Sequence, residues 1–459
     1  MTLYSRLYFS LLYQFYESTL RGRKTFEYYK FLDKSQLYSR EQLLELQFGE
    51  LKKLVRHAYD EVPFYRRVFD GIGLQPDDVR AMEDFQKIPT IDKDVIRANK
   101  DEMMARNHRG RTMPKATGGS TGQPLEFAYT RTSYEWRVAT RMRGYGWADC
   151  WEAERVAYIW GSAIGVPPLK QRLKEGLHHV LNRQKYFNSF LFDDETIEQV
   201  CRELKKFAPK VVVGYTTPLY NFCRSLRDRG IKAPRVRSAI TAAEKVQDYQ
   251  REVIEEVLGC KVFNTYGSRE FMLIGSECEE HTGLHVNVEN IVAEIVHDGK
   301  LMKEGGPGEL VITDLHNYGM PFIRYKIGDI GVPSEIETCP CGRGLPLIKD
   351  VEGRLLDMIV TSDGRMVPGE FFPHLAKEFS EIERFQVIQD DLETLVIKIV
   401  ENREFKGESL ERFKREIAGV VGDGVRCEIE VVDQIPVTAT GKSRVTISNV
   451  LADSRLGEQ

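Results

Sequence analysis

Residues 116–124 read Ala116-Thr117-Gly118-Gly119-Ser120-Thr121-Gly122-Gln123-Pro124. Three glycines and three hydroxyl side chains fall within seven consecutive positions. Glycine lets a backbone turn tightly and approach a ligand, and such a turn presents N–H groups and hydroxyls toward an anion. The stretch lacks the Gly-Lys-Ser/Thr ending of a Walker loop and the Gly-x-Gly-x-x-Gly spacing of a dinucleotide fingerprint. A plain surface loop can share this composition, so the flanking sequence has to decide between the two.

Outward from the loop, short β-branched or aromatic runs follow at Val156–Trp160, Val211–Tyr215, residues 239–243 and residues 262–266. Amphipathic helical stretches separate several of them. Alternating strands and helices predict a mostly parallel sheet covered by helices. Between 286 and 330 the runs IVAEIV and GELVIT predict a more antiparallel region. Beyond about 357, FQVIQDDLETLVIKIVE and RCEIEVVD surround the charged helix SLERFKREIAGVV. The expected fold is α/β: a large N-terminal body of helix-flanked β-sheets and a small, mobile α/β C-terminal lid. The expected division is a helical segment 1–110, the remainder of the large domain 111–355, and a lid 356–459.

The 459 residues include 65 Lys plus Arg against 69 Asp plus Glu, a net charge of -4. This balance gives no electrostatic case for nucleic acid. No run of 18 apolar residues predicts a membrane span, and no cleaved-signal pattern opens the chain. Eight cysteines in this length do not form a disulfide scaffold and point to a reducing cytoplasm. Nine of the first thirty residues are Phe or Tyr, with Leu3, Leu7, Leu11 and Phe15 at helical spacing and Arg21, Arg23 and Lys24 following. Such a segment either packs its aromatics on its own domain or lies on a membrane face or a partner.

The loop resembles the phosphate-binding loop of the adenylate-forming superfamily, which includes acyl-CoA synthetases, adenylation domains and luciferases. Further elements follow in that superfamily's order. They are Tyr266-Gly267-Ser268-Arg269-Glu270, Arg324-Tyr325-Lys326-Ile327-Gly328-Asp329, Gly353-Arg354 and Pro436-Val437-Thr438-Ala439-Thr440-Gly441-Lys442. LVRHAYDEVPFYRRVF, IPTIDKDVIRAN, GLH at 283–285 and CPCGR at 339–343 are similar to the phenylacetate–CoA ligase-like branch, including its capsular polysaccharide members. The resemblance runs from about residue 45 to 447 and leaves out the first thirty.

That resemblance implies ATP-dependent activation of a small carboxylic acid as an acyl-adenylate, followed by acyl transfer to a thiol such as coenzyme A. It implies that Thr117, Gly118, Gly119, Ser120, Thr121 and Gly122 receive the phosphates. Lys442 would bridge carboxylate and α-phosphate from the lid, and Glu270 would hold Mg²⁺ through hard oxygens. Asp329 would accept from the ribose hydroxyls. Ala243, Glu244, Tyr266, Gly267 and Ser268 would line the nucleotide, and Arg354 would contact it near the hinge. Trp160, Tyr215 and Tyr266 are candidate walls of the acyl pocket.

Three positions depart from the family pattern: Gln123 stands where a lysine is usual, Ala242 where a glycine is, and Leu356 where the hinge has an acid. Leu356 predicts a restricted lid rotation. Cys278, His285, Cys339 and Cys341 form a candidate tetrahedral Zn²⁺ set, with His281 as a rival ligand and buried free thiols as the alternative. The acceptor could instead be a carrier thiol or an amine. AMP transfer and a non-catalytic nucleotide scaffold are the remaining alternatives.

Overall fold

The computed structural model describes residues 3–450 apart from 118–124, 162–175, 177, 190–191, 193, 244, 298, 303–307, 353–358, 362–365, 368, 370, 377, 380, 402–406, 423 and 436–444. The loop quoted above springs from an antiparallel hairpin of β1 (Met113–Ala116) and β2 (Glu126–Tyr129), with Ala116 opposite Glu126. Its base is closed twice. The Thr117 N–H donates to the Leu125 carbonyl at 2.9 Å, and the Leu125 N–H donates to Thr117 Oγ1 at 2.9 Å.

Twelve strands form one sheet. Its first half is parallel: β3 (Val156–Trp160), β4 (Gln184–Asn188), β5 (Val211–Tyr215), β6 (Ser238–Ala242) and β7 (Lys261–Ser268). All five residues of β5 are buried, as a strand covered on both faces requires. The helices Thr216–Asp228 and Asp248–Leu258 supply cover, the second ending at Gly259 with φ 60°.

The second half is antiparallel. It comprises β8 (Met272–Glu277), β9 (Leu284–Val286), β10 (Ile291–His297), β11 (Lys300–Leu301), β12 (Gly308–Asp314), β13 (Tyr325–Pro333) and β14 (Leu347–Glu352). The two halves meet at β7, which runs parallel to β6 and antiparallel to β8. A register shift between Tyr266 and Gly267 marks this junction. A Cβ at Gly267 would run into the Met272 carbonyl oxygen, so the turn needs glycine.

The helix Arg40–Glu61 opens on a reciprocal cap between Ser39 and Gln42, and Pro63 begins the helix that follows. Both pack into a core shared with the antiparallel half of the sheet. The helix Thr25–Ser35 lies on the helix Arg131–Trp147, where Tyr28 stacks on Trp136 at 4.5 Å. Ahead of it, Leu3–Leu7 is α-helical, while Tyr8–Tyr13 and Phe15–Leu20 have π-helical turns. Phe9 meets Phe26 and Tyr29 edge-on at 5.1 and 5.5 Å, whereas Leu7, Leu11, Leu12, Phe15 and Leu20 are exposed.

After β15 (Ile359–Val360) and β16 (Met366–Val367), a four-stranded sheet contains β17 (Ile382–Gln389), β18 (Thr394–Glu401), β19 (Arg426–Val431) and β20 (Thr446–Ser448). With the helix Glu408–Val421 it encloses a core of its own, which Tyr215 of the large sheet joins. No helix among the described residues is long and apolar enough to cross a membrane.

Candidate active site

A cleft of about 1270 Å³ opens at the carboxyl ends of β3, β5 and β6, the place where open α/β sheets bind ligands. It gathers residues from distant parts of the chain. Thr117 comes from the β1–β2 hairpin, Ala242 and Ala243 from the end of β6, Tyr266 to Glu270 from the β7–β8 turn, and Asp329 from β13. Trp160 and Tyr215 also line it, their rings 4.2 Å apart.

Two hydrogen bonds tie the acidic groups in place. The Tyr266 hydroxyl donates to Asp329 Oδ2 at 2.8 Å. The hydroxyl of Tyr325, fully buried, donates to Glu270 Oε1 at 3.1 Å. Glu270 is itself buried at 5% exposure and borders the cleft. An ionised carboxylate bordering a cleft is an acceptor-only group suited to a hard cation, so the donor chemistry at Glu270 fits Mg²⁺. The Ser268 hydroxyl accepts the Phe271 N–H at 3.3 Å and shapes the turn. Ala243 has φ 72°, a left-handed conformation that costs a non-glycine residue roughly 1–2 kcal/mol. Met272 and Arg324, which flank the two acidic positions, also have positive φ. Strain of this kind concentrates at binding sites.

Lys93, Lys245 and Arg269 also line the cleft, and Lys245 is ion-paired to Asp350 on β14. Lys245 stands just outside the recognised elements, and Lys93 was only one letter of the stretch IPTIDKDVIRAN, with no role attached to it. Arg269 falls within the recognised element 266–270, and that position was the available signal. Tyr325 was legible only as a motif letter; its role depends on pairing across 55 positions.

Gly118, Gly119, Ser120, Thr121, Gly122 and Gln123 lie outside the described residues, as do Glu244, Arg354, Leu356 and Lys442. Of the expected nucleotide-site residues, the cleft therefore unites Thr117, Ala243, Tyr266, Gly267, Ser268, Glu270 and Asp329.

A second constellation sits where β8, β9 and the β13–β14 connection meet. The ligand atoms of Cys278, His285, Cys339 and Cys341 all lie within 4.8 Å of one another. Cys278 Sγ is 3.7 Å from Cys339 Sγ, and Cys341 Sγ is 3.4 Å from His285 Nε2. A tetrahedral ion with bonds of about 2.3 Å to sulfur would separate its thiolates by roughly 3.8 Å. His285 Nδ1 is 3.1 Å from the Leu345 carbonyl, which orients the ring as metal-bound imidazoles are oriented. Burial pushes the His285 pKa down to about 4, so the ring is neutral. His281 turns instead to Glu277, at 3.1 Å. The other cysteines are unsuited to nucleophilic work, since burial pushes Cys150 and Cys260 up to about 12 and Cys427 to about 11.

Comparison with known proteins adds independent findings. The family model "CapK C-terminal domain" matches residues 359–449. A phenylacetate-coenzyme A ligase of Thermus thermophilus is 29% identical over 393 residues, covering 82% of this chain and 84% of that protein. Protein CapK of Staphylococcus aureus is 26% identical over 444 residues, covering 94% of each. The chain is thus similar over most of its length to phenylacetate–CoA ligases and to CapK. The fold agrees with that similarity. A 2-hydroxyisobutyryl-CoA ligase, solved with its acyl-adenylate and coenzyme A, superposes with a TM-score of 0.58 at 18% identity, over 90% of this chain and 92% of that one.

Proposed function

We propose that the protein is an ATP-dependent acid–thiol ligase. In the first step an oxygen of the substrate carboxylate attacks the α-phosphorus of ATP. The P–O bond to the leaving pyrophosphate breaks, and an acyl-adenylate forms. In the second step a thiolate, that of coenzyme A in this proposal, attacks the acyl carbon. The bond from that carbon to the AMP oxygen breaks, and AMP leaves. Splitting one condensation into two transfers is the logic of covalent activation.

The observation that carries the proposal is the convergence of Thr117, Tyr266, Glu270 and Asp329 on one cleft from separate stretches of sequence. Asp329, held by Tyr266, accepts from the ribose hydroxyls. Glu270, held by Tyr325, is the Mg²⁺ ligand; the ion supplies charge neutralisation for the triphosphate when bound. Arg269, beside Glu270, also lines the cleft and adds a cation where glutamine stands at position 123. Lys442 supplies the cation between carboxylate and α-phosphate, from a lid taken to span 356–459.

Cys278, His285, Cys339 and Cys341 hold a structural Zn²⁺ that staples the antiparallel strands to the approach to the lid; all four positions are filled by protein, which leaves no open site for catalysis. Reduced thiols at these positions fit a reducing compartment. The sequence resemblance to capsular polysaccharide members supports a role in cell-surface polysaccharide assembly, and the similarity to CapK covers 94% of the chain.

Single-turnover experiments with α-labelled ATP test the activity. Labelled acyl-adenylate should form only when an acid is present, and AMP and a thioester should appear together only when coenzyme A is added. Label transferred intact to another molecule as AMP would instead identify an adenylyl transferase.

A further inference from the structure

The cleft extends well beyond the nucleotide end. Past Tyr266 and Met272 it runs between the helix Arg131–Trp147 and the N-terminal segment, with Tyr13, Tyr134 and Val138 among its walls. Its outer margin includes Leu12, Phe15, Leu20 and Leu181, all of them large exposed apolar side chains. The whole cavity, about 1270 Å³, exceeds the roughly 300–1,000 Å³ of ordinary ligand pockets. That leaves room for a substantial group beside the nucleotide.

The N-terminal segment is fastened to the body. Ser5 Oγ donates to the Glu152 carbonyl at 2.6 Å, and the Tyr8 hydroxyl donates to Asn182 Oδ1 at 3.0 Å. Phe9 closes on Phe26 and Tyr29. The π-helical turns lie in this stretch, and such turns recur at functional sites.

Four charged side chains of this end pair with one another. Arg141 meets Glu152 at 2.6 Å, and Arg23 meets Glu17 at 3.1 Å. Two neutral pairs offer no net charge to a ligand, whereas the aromatic and aliphatic walls offer apolar surface.

We propose that residues 3–20 are the outer wall of the acyl subsite and that the acid activated here carries a large apolar body. This rests on the adenylation proposed above. The carboxylate lies at the Tyr266–Glu270 end. The apolar body extends along Tyr13, Tyr134 and Val138 toward the leucine rim. Small acids leave this wall uncovered and are poor substrates.

The test is acid-dependent exchange of labelled pyrophosphate into ATP, with acetate, phenylacetate, 4-biphenylacetate, octanoate and dodecanoate. It compares wild type with Leu12→Asp and Leu20→Asp, both at exposed positions that fold without burial. Leu37→Asp, equally exposed and away from the cleft, controls for added surface charge. In the wild type, kcat/KM should rise by about tenfold or more from acetate to the larger acids, and the two rim variants should reduce that ratio by a similar factor. Leu37→Asp should keep the wild-type ratio. Robust exchange that is indifferent to acid size, or unmoved by both rim variants, overturns the wall and leaves adenylation standing. No exchange with any acid overturns adenylation, and this inference with it.

Discussion

Glu270 allows catalysis and stability to be separated by two substitutions. Its carboxylate does two things: it accepts the hydroxyl of fully buried Tyr325 at 3.1 Å, and it offers a hard oxygen to the cleft. Glu270→Gln keeps an acceptor oxygen for Tyr325 and removes the charge. Glu270→Ala removes both. A hydrogen bond to a charged group contributes roughly 1.5–3 kcal/mol and a neutral one roughly 0.5–1.5 kcal/mol. The glutamine variant should therefore lose about 1 kcal/mol of stability, and the alanine variant about 2–3 kcal/mol. Both should lose pyrophosphate exchange by about 10²-fold or more, as when a preorganised charge-stabilising group is removed. Denaturant unfolding followed by tryptophan fluorescence gives the first quantity, and exchange at saturating ATP gives the second. Excess Mg²⁺ should restore neither variant fully. Near-wild-type exchange in Glu270→Gln would refute the metal assignment. Equal stability of the two variants would refute the anchoring by Tyr325.

Other expectations follow from the same geometry. Tyr266→Phe removes the 2.8 Å bond to Asp329 and should raise KM for ATP by about fivefold, close to 1 kcal/mol, with a smaller change in kcat; unchanged KM would show that Asp329 is held in other ways. Elemental analysis of native protein should find about one Zn²⁺ per chain, the content a four-ligand structural site implies, and chelation should lower the melting temperature; metal-free native protein would end the zinc proposal. At Glu289, burial alone would raise the carboxyl pKa, but the Arg143 guanidinium and the Ser35 hydroxyl hold it below the usual value. Its contribution is therefore fully present above about pH 4.5, the unfolded carboxyl range, and fades as pH falls through the depressed folded value. Arg143→Met should cost about 3–5 kcal/mol near neutrality and less in acid, which pH-resolved unfolding would measure; a cost that grows in acid would contradict the assignment.

Much of this site was readable along the chain because its parts are local. The density of glycine and hydroxyl residues singles out 117–122 as a candidate phosphate loop, and the motifs that follow it decide the reading. The turn at 266–270 and the Asp at 329 each sit within short motifs, so the cleft's acidic groups could be named before their neighbours were known. The twelve-stranded sheet was legible only in halves. Helix-separated strands announce parallel pairing and close-set strands announce antiparallel pairing, but neither says that β7 carries one kind on each side. The least legible part was the first twenty residues. Helical spacing shows that their leucines and aromatics form stripes, not what covers them. That answer lies in contacts such as Ser5 with Glu152, 147 positions away. Lys245 escaped notice for the same reason, since its value depends on Asp350 and the cleft rather than on its neighbours in sequence.

An acyl-adenylate formed reversibly in this cleft must support exchange of labelled pyrophosphate into ATP. Wild-type protein should exchange label only when a suitable carboxylic acid is present, and Lys442→Ala should fall by about 10²-fold or more, the scale expected when a charge-stabilising group is removed. Wild-type protein that binds ATP yet shows no exchange with any acid, or a Lys442→Ala variant that exchanges as well as wild type, would contradict adenylation in this cleft.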